Sequence, residues 1–261
     1  MVLVTGAGRG QGRNHCLRLA ESGAAIIATD VCAPIDGVGY PMASLDDLAT
    51  TAELVGRAGG RISTHVVDVR DGAGMARAVD EGVRSFGRLS GVVANAGICA
   101  VSRADDLAED LFGLMMAVNV GGVWNTCAAA IPHLRENGGG SMVLISSSAG
   151  RKGVPFFTAY SASKHGLVGL MQSLALELAT ASIRVNTVHP TGVDTAMTRG
   201  LAALGGLIAD QPELGAHFVN ALPMATVTPD DVSDAVLFLL SDRAAAVTGL
   251  TMTVDAGMSV R

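Results

Sequence analysis

Charged and aromatic side chains are scarce in this chain of 261 residues. Only 16% of the residues are charged and 3% are aromatic, and acidic residues outnumber basic ones by 24 to 18, for a net charge of −6. No run of Lys or Arg occurs, so the basic surface that nucleic-acid phosphates require is missing. We therefore expect no nucleic-acid partner.

Cysteine is also rare, and its spacing is unsuited to covalent or metal-binding roles. Cys16, Cys32, Cys99 and Cys127 form no CxxC pair and no Cys/His pattern typical of zinc. This predicts neither a disulfide framework nor a metal site, and it favours a reducing compartment. No segment approaches 18 uninterrupted apolar residues, and "MVLVTG" at the start has no charged leader. We expect a cytoplasmic protein with no membrane partner.

Glycine and apolar residues, by contrast, are abundant and arranged in a rhythm. Short β-branched runs alternate with longer amphipathic stretches; the runs are "MVLVT", "AAIIATD", "ISTHVVDV", "LSGVVANAG", "SMVLISSS", "IRVNTVHP" and "LTMTVDAG". Such alternation is typical of βαβ units. The sequence predicts one α/β domain over residues 1–261. We expect a Rossmann-like, doubly wound parallel sheet of about seven strands with helices on both faces.

The connecting segments predict further features of this domain. Residues 104–137 are long enough for two helices, and Thr228 with Pro229 is typical of a helix start. Residues 31–47 are longer than ordinary α/β connections, and we interpret them as an insertion on the cofactor side. Residues 190–227 are rich in Leu, Ala, Met and Gly, and they predict a mobile substrate lid with helical pieces.

The stretch "TGAGRGQG" lies between the first predicted strand and an amphipathic helix ending near Gly23. This is the position at which phosphates meet a helix N-terminus. Gly6 would permit the tight turn, Gly10 the approach of a pyrophosphate, and Gly12 close packing of helix on strand. The alternative is a turn with a structural role only.

Further polar residues follow the next predicted strands. Asp30 ends the second strand, where a carboxylate can bind an adenosine ribose and repel a 2′-phosphate, so NAD is favoured over NADP. Arg9 could instead reach a 2′-phosphate, although a solvated or pyrophosphate-side position is the preferred interpretation. The ends of the third and fourth strands add candidate cofactor-binding residues at the same sheet edge: Asp68, Val69, Asn95, Ala96 and Gly97.

A catalytic pattern occurs downstream in "YSASK". Tyr160 and Lys164 share a helix face at i, i+4, so the ammonium can lie near the phenol. A phenol titrates near ~10 and needs a nearby cation to act as a proton acceptor around neutral pH. Ser147 lies at the end of the fifth predicted strand, where its hydroxyl could orient a substrate oxygen.

These motifs together resemble the short-chain dehydrogenase/reductase family over essentially the whole chain. The matching features are "TGAGRGQG" with Gln11, Asp30, Asp68-Val69, "NAG" at 95–97, Asn119, Ser147, "YSASK", "HPTGVDTAM" at 189–197 and "TGLTMTVDAG" at 248–257. The resemblance implies an oxidoreductase with Tyr160 as general acid/base, Lys164 and Ser147 beside it, and Asn119 in a proton relay at a helix irregularity. It also implies that Pro190, Val193 and Thr195 lie near the nicotinamide, and that no metal is required.

A narrower resemblance points to the actinobacterial subgroup called carveol dehydrogenase-like or mycofactocin-coupled. It rests on "GRGQGRNHCLRLAESGA", "DVCAPIDGVGYPMAS" and "HPTGVDTAMT". It implies that residues 31–47 cover a tightly held NAD, that the substrate is a small apolar alcohol or ketone, and that an external redox partner of mycofactocin type participates. The wider family implies a homotetramer.

Two alternative functions remain at this point. A carbonyl reductase would use the same residues in the reverse direction, and a non-catalytic NAD-binding regulator would keep only the fold. Cys99 could line the substrate pocket or fill space, and the same choice applies to Met197 and its apolar lid neighbours. We interpret His165 and His189 as structural residues.

Overall fold

The computed structural model describes all 261 residues and contains seven β-strands. They span Val2–Thr5 (β1), Ile26–Asp30 (β2), Ile62–Val66 (β3), Gly91–Ala94 (β4), Gly140–Ile145 (β5), Ile183–Pro190 (β6) and Thr251–Val254 (β7). All seven predicted strands are confirmed. The predicted third and fifth strands extend too far. Asp68 lies two residues beyond the end of β3, and Ser147 lies two residues beyond the end of β5.

All strands are parallel and form one sheet in the order β3-β2-β1-β4-β5-β6-β7. The chain starts in the middle at β1, builds outward to β3, and then returns to place β4 on the other side of β1. In open α/β sheets, ligands bind at the carboxyl edge where the strand order reverses. Here the reversal lies between β1 and β4, so the first and fourth strand ends meet there.

Helices cover both faces of the sheet, as predicted for a doubly wound fold. They span Gly10–Glu21 (α1), Leu45–Arg57 (α2), Gly72–Phe86 (α3), Glu109–Met116 (α4), Gly122–Glu136 (α5), Thr158–Leu178 (α6), Ala196–Gly200 (α7), Ala202–Asp210 (α8) and Pro229–Leu240 (α9). One buried core contains side chains from α3, α5 and α6. The other contains side chains from α1, α2 and α9.

The segment after β4 contains the two predicted helices, and they are joined end to end. A short 3₁₀ turn at Ala104–Asp106 precedes a continuous helical rod over Glu109–Glu136, in which the π-helical stretch Ala117–Gly121 joins α4 to α5. By length and composition alone this rod could cross a membrane. Its buried residues nevertheless pack into the sheet core, where Met115 and Leu134 are almost fully enclosed.

Helix caps explain where two of the helices begin. The Thr228 hydroxyl accepts the amide N–H of Asp231, the Asp231 carboxylate accepts the Thr228 N–H, and Pro229 occupies the first turn, which confirms the predicted start of α9. Ser44 and Asp47 form the same reciprocal cap at α2. Because this cap starts α2 at Leu45, the insertion is shorter than the predicted 31–47 and ends at Ser44.

The predicted lid at 190–227 contains the helical pieces expected of it. Pro190 still belongs to β6, and α7, α8 and a 3₁₀ segment at Pro212–Phe218 follow. None of these three helical pieces contributes a buried residue. The lid is therefore helical, but it adds little to the hydrophobic core.

Candidate active site

The glycine turn connects β1 directly to α1 and approaches the end of β4. Gly6 has a φ of +66°, and a Cβ on it would lie 2.9 Å from the Ala96 Cα. A Cβ on Gly12 would lie 2.0 Å from the Gly6 carbonyl oxygen. Both positions therefore require glycine, and the predicted roles in turn formation and in close helix packing match this geometry.

The first turn of α1 presents unpaired polar groups to the space above the sheet edge. Arg9 precedes the helix and offers no side-chain cap, so the first N–H groups remain available for an anion. The Gln11 Oε1 atom is buried and has no hydrogen-bond partner. Such an orphaned acceptor requires a donor from a bound group or solvent, which is what a cofactor cradle is expected to show.

Asp30 lies at the end of β2 and is nearly buried. Its carboxylate accepts the Gly8 N–H at 2.9 Å and the Cys32 N–H at 3.2 Å. These bonds fix the carboxylate against the glycine turn while it still lines the cavity. Its charge is therefore available to hydroxyl donors and unfavourable to a second anion.

One cavity brings together most of the predicted cofactor-binding residues. Its lining includes Gly6, Arg9, Gly10, Gln11, Gly12, Asp30, Asp68, Val69, Asn95, Ala96, Gly97 and Thr195. These come from the ends of four strands and from the lid. The cradle, the orphaned acceptor and the carboxylate all fit a dinucleotide, with the phosphates at the helix N-terminus and an adenosine ribose at Asp30.

Two of the predicted cofactor-binding side chains already form hydrogen bonds with other residues of the protein. The Arg9 guanidinium donates to the Pro41 carbonyl of the insertion. Asp68 forms a bidentate pair with Arg70, whose Nε lies 2.9 Å from Oδ2, and this pairing lowers the pKa of the carboxyl despite its partial burial. Arg9 thus contacts the insertion that covers the cavity. The negative charge of Asp68 is balanced by the positive charge of Arg70.

Tyr160 and Lys164 lie on adjacent turns of α6, as the spacing predicted. The Lys164 ammonium lies 5.6 Å from the centre of the Tyr160 ring and donates to the Ile145 carbonyl at 2.9 Å. Burial lowers the pKa of Lys164 to about 8. Burial also raises the pKa of the Tyr160 phenol above its ordinary range, and the hydrogen bond with Ser147 partly opposes that rise.

Ser147 is distinguished from its neighbours by what each serine binds. The Ser146 hydroxyl donates to the Lys164 carbonyl at 2.9 Å, and the Ser148 hydroxyl contacts the Met258 sulfur at 3.3 Å. Ser147 instead precedes a 3₁₀ turn and accepts the Ala149 N–H at 3.1 Å. Its hydroxyl proton points to the Tyr160 phenol, at the position where a reacting oxygen would lie.

Asn119 occupies the π-helical stretch, which is the irregularity that the family resemblance implied. Its side chain accepts the Ile98 N–H at 2.8 Å and donates to the Ile98 carbonyl at 2.9 Å. It also donates to the Ser163 hydroxyl at 3.0 Å. Asn119 therefore ties the segment after β4 to α6, and a π-bulge at such a point is typical of functional sites.

The three residues predicted to lie near the nicotinamide are found at the end of β6 and directly after it. Pro190 ends the strand, Val193 is buried and pairs with Val227, and Thr195 precedes α7. Of the three, only Thr195 lines the cavity, where its methyl group would lie 3.3 Å from a Cβ on Gly10. The lid thus touches the glycine turn through Thr195.

His165, His189 and Cys99 lie near the catalytic residues, and their contacts show how each one is held. His165 lies on the exposed side of α6 and bonds the Ser161 carbonyl, whereas His189 is buried, with burial lowering its pKa to about 4. The neutral His189 ring donates to the Ser147 carbonyl at 2.8 Å and so positions that segment. Cys99 is buried beside the site, and burial raises the pKa of its thiol to about 12.

Sequence reasoning missed several residues that line the same cavity. They are Val31, Ile35, Tyr40, Met42, Ala43, Val67, Ile98, Val118 and Ala196. Five of them belong to residues 31–43, for which the sequence predicted a cofactor-side insertion without naming the residues that face the cofactor. Met197 of the lid also lines this cavity, on the cofactor side of the site.

Comparisons with known proteins define the class of this protein. A family model described as Enoyl-(Acyl carrier protein) reductase, of the short-chain alcohol dehydrogenase type, matches residues 6–259. The (−)-trans-carveol dehydrogenase of Rhodococcus erythropolis is 43% identical over 100% of this chain and 98% of its own length. The chain belongs to the short-chain dehydrogenase/reductase family, an oxidoreductase family.

Solved structures give the same result at the level of the fold. A short-chain dehydrogenase from Mycobacterium paratuberculosis, bound to NAD, is 43% identical with a TM-score of 0.97, covering 100% of this chain and 97% of that one. Carveol dehydrogenase from Mycobacterium avium, in complex with NAD, is 41% identical with a TM-score of 0.93 and the same coverage. The insertion and the lid therefore fall within a fold that these proteins share along their whole length.

Proposed function

We propose that this protein is an NAD-dependent dehydrogenase that oxidises an apolar secondary alcohol. The observation that carries the proposal is the grouping of Ser147, Tyr160 and Lys164 next to a cavity that fits a dinucleotide. None of the three lines the cavity itself, but a Cβ on Gly97, which does line it, would lie 3.4 Å from the Lys164 Nζ. The NAD-bound neighbours and the carveol dehydrogenase relative support both the cofactor and the substrate class.

Tyr160 acts as the general base in this proposal. Ser147 donates a hydrogen bond to the alcohol oxygen, and the Tyr160 phenolate removes its proton. Lys164 holds a positive charge close to the phenol and stabilises the phenolate. Asn119 keeps the segment after β4 in place and belongs to the relay that returns the proton to solvent. Bound NAD would supply the hydride acceptor, with Gly6, Gly12 and the first turn of α1 around its phosphates.

The substrate side of the site favours an apolar molecule. The Phe157 ring lies 6.0 Å from the Tyr160 ring and 6.1 Å from the Phe218 ring of the lid. Aromatic side chains make up only 3% of the chain, yet Phe157 and Phe218 form a row with the ring of the reacting phenol. Such a wall binds a hydrocarbon ring through apolar area and edge-to-face contacts.

The reverse reaction, reduction of a ketone, is the second candidate at the same site. The raised pKa of Tyr160 favours the protonated phenol, and that form donates the proton that reduction consumes. Both directions use the same residues. A regulator without catalysis is disfavoured, because Asn119, Ser147, Tyr160 and Lys164 are all present.

The proposal also covers the oligomeric state, the cellular location and the redox partner of the protein. Trp124 on α5 and Leu176 on α6 are 46% and 81% exposed, which fits a homotetramer that buries these helices. Four free cysteines fit a cytoplasmic location. The subgroup resemblance supports tightly held NAD and an external, mycofactocin-type acceptor.

The decisive experiment compares the wild-type protein with Tyr160→Phe. Protein purified without added cofactor is denatured, the supernatant is assayed for NAD and NADP, and carveol-type alcohols are tested with free NAD or an artificial electron acceptor. We expect NAD in both proteins and a loss of at least about 100-fold in kcat for the variant, because general-base catalysis contributes about 10²–10⁴-fold.

Two outcomes would contradict the proposal. Bound NADP would overturn the role assigned to Asp30, and full turnover by Tyr160→Phe would overturn the role assigned to the phenol. Turnover only with the artificial acceptor would support tightly held NAD. Turnover with free NAD from an empty protein would reduce residues 31–44 to an ordinary insertion.

A further inference from the structure

Tyr40 is the largest buried side chain of the insertion. It is 6% exposed, whereas most residues around it in the segment 31–42 remain accessible to solvent. It is one of only two tyrosines in the chain, and the other is Tyr160. A buried phenol in a loop without secondary structure requires specific partners, and three of them come from different parts of the fold.

The first partner is the backbone that follows β4. The Tyr40 hydroxyl oxygen accepts the Cys99 N–H at 3.0 Å. The preceding residue, Ile98, has both its N–H and its carbonyl bound by the Asn119 side chain. The insertion and the π-helical stretch therefore hold consecutive residues of one segment at the floor of the site.

The second partner is the lid helix α7. A Cβ on Gly200, the last residue of α7, would lie 2.3 Å from the Tyr40 Cβ. The lid backbone thus rests directly on the Tyr40 side chain, and only glycine allows this approach. If Tyr40 moves, the lid loses the surface on which it lies.

The third partner is the cavity itself. Tyr40 lines it together with Arg9 and Met42. Burial raises the pKa of the phenol to about 12, so the phenol stays protonated at neutral pH. Because its oxygen accepts the Cys99 N–H, its own O–H can donate to a group in the cavity, and the protein provides no acceptor for it.

We propose that Tyr40 is a latch that joins the insertion to the lid and to the floor segment Gly97–Cys99, so that the two covers open together. The inference rests on the proposed function only in assigning a dinucleotide to the cavity. Tyr40 is a positioning residue in this scheme, and it couples release of that dinucleotide to movement of the substrate lid.

The first test measures hydrogen exchange in the protein without added cofactor. Tyr40→Phe removes the acceptor of the Cys99 N–H, and Gly200→Ala forces the lid away from the ring. The matched control is Gly39→Ala, because a Cβ on Gly39 meets nothing within 4 Å. We expect Tyr40→Phe to speed exchange in the lid at 196–210, and Gly200→Ala to speed exchange in the insertion and at Cys99.

The second test measures the rate of NADH dissociation by displacement. Loss of one buried hydrogen bond corresponds to a change of about tenfold. We therefore expect dissociation to be about tenfold faster in Tyr40→Phe and in Gly200→Ala, and unchanged in Gly39→Ala. Because Tyr40 does not transfer the proton, single-turnover oxidation in Tyr40→Phe should remain far faster than in Tyr160→Phe.

The exchange pattern decides between a latch and a local packing role. If each substitution changes exchange only in its own segment, or if both resemble Gly39→Ala, the latch is overturned. Should the wild-type protein bind no NADH, the proposed function fails, yet the cross-effects between insertion and lid still support or refute the latch.

Discussion

Two segments cover the cavity, and they are held in opposite ways. The insertion at 31–44 has no helix or strand, yet Tyr40 and Ala43 are buried and Ile35, Val38 and Met42 pack against the core. The lid between residues 196 and 218 is almost entirely helical, yet none of its helical residues is buried.

The comparison shows that secondary structure does not indicate which segment is fixed. Backbone hydrogen bonds within a short helix hold that helix together, but they do not attach it to the domain. Buried side chains attach a segment, because opening it would expose apolar area and unpaired polar groups. The irregular insertion is thus the better anchored cover, and the helical lid is attached mainly at its ends and where Gly200 rests on Tyr40.

The ends of the lid, in contrast to its middle, are firmly attached. The Thr191 hydroxyl donates to the Asn220 side chain at 2.9 Å, and the Asn220 amide donates to the Met224 carbonyl at 2.8 Å. Thr195 is also buried. The helical segment between residues 196 and 218 is therefore attached to the domain on both sides.

The largest effect is expected on the cofactor side, at Asp30. Asp30→Ala removes the acceptor of the Gly8 and Cys32 N–H groups and the charge that opposes a 2′-phosphate. Hydrogen bonds to charged groups contribute about 1.5–3 kcal/mol, so the preference for NAD over NADP should fall about 10- to 100-fold. The measurement is kcat/KM with each cofactor.

Asp46→Ala provides the matched control for this change. Asp46 is an exposed carboxylate in the first turn of α2, close to the insertion but outside the cavity lining. Its removal should leave the cofactor preference unchanged. An equal loss of preference in both variants would mean that overall charge, rather than the fixed Asp30 carboxylate, selects the cofactor.

A smaller effect is expected on the lid side, at Phe218. Phe218→Ala removes the ring that contacts Phe157 at 6.1 Å. Aromatic contacts contribute about 0.5–1.5 kcal/mol beyond buried area, so the KM for a cyclic apolar alcohol should rise about two- to tenfold. Dissociation of NADH should not change, because the contact between Gly200 and Tyr40 that joins the lid to the insertion is intact.

Val219→Ala is the control for the lid, since Val219 is the next residue and is 45% exposed. It should change neither KM nor NADH dissociation. If Phe218→Ala instead accelerated NADH dissociation without raising KM, the assignment of Phe218 to substrate binding would be wrong.

The smallest effect is expected at the edge of the insertion, at Arg9. Arg9→Gln removes the guanidinium that donates to the Pro41 carbonyl. An exposed hydrogen bond contributes about 0.5 to 1.5 kcal/mol, so hydrogen exchange in residues 33–43 of the cofactor-free protein should rise about threefold. Arg57→Gln, at an exposed arginine paired only within α2, should have no such effect.

This measurement separates two roles of Arg9. An unchanged exchange rate together with weaker NAD binding would indicate direct contact with the cofactor and no part in holding the insertion. A raised exchange rate would show that Arg9 assists the anchored cover even before a cofactor is bound.

Much of the fold could be predicted because its signals are local. The β-branched runs predicted all seven strands, and Thr228 with Pro229 predicted the start of α9. The position of the insertion was also visible, since its length exceeds ordinary connections. Its end was misplaced by three residues, because the cap formed by Ser44 and Asp47 was not recognised.

The site was predictable where residue type and spacing imply contact. Tyr160 and Lys164 share a helix face because four residues span about one turn of an α-helix. The residues that follow parallel strands meet at one edge of the sheet. Tyr40 could not be found this way, because no spacing rule connects a loop residue to Cys99 or to Gly200.

By itself, the sequence determined the strand rhythm, the glycine turn and the pairing of Tyr160 with Lys164. These depend on backbone sterics and helix periodicity, which act over a few residues. Only the tertiary structure decided that one continuous rod carries Asn119 in a π-helical stretch, and that Tyr40 accepts the Cys99 N–H beside the site. Burial set the altered pKa values of Lys164 and Tyr160 as well. All of these depend on surfaces from distant segments that meet only when the whole chain is packed.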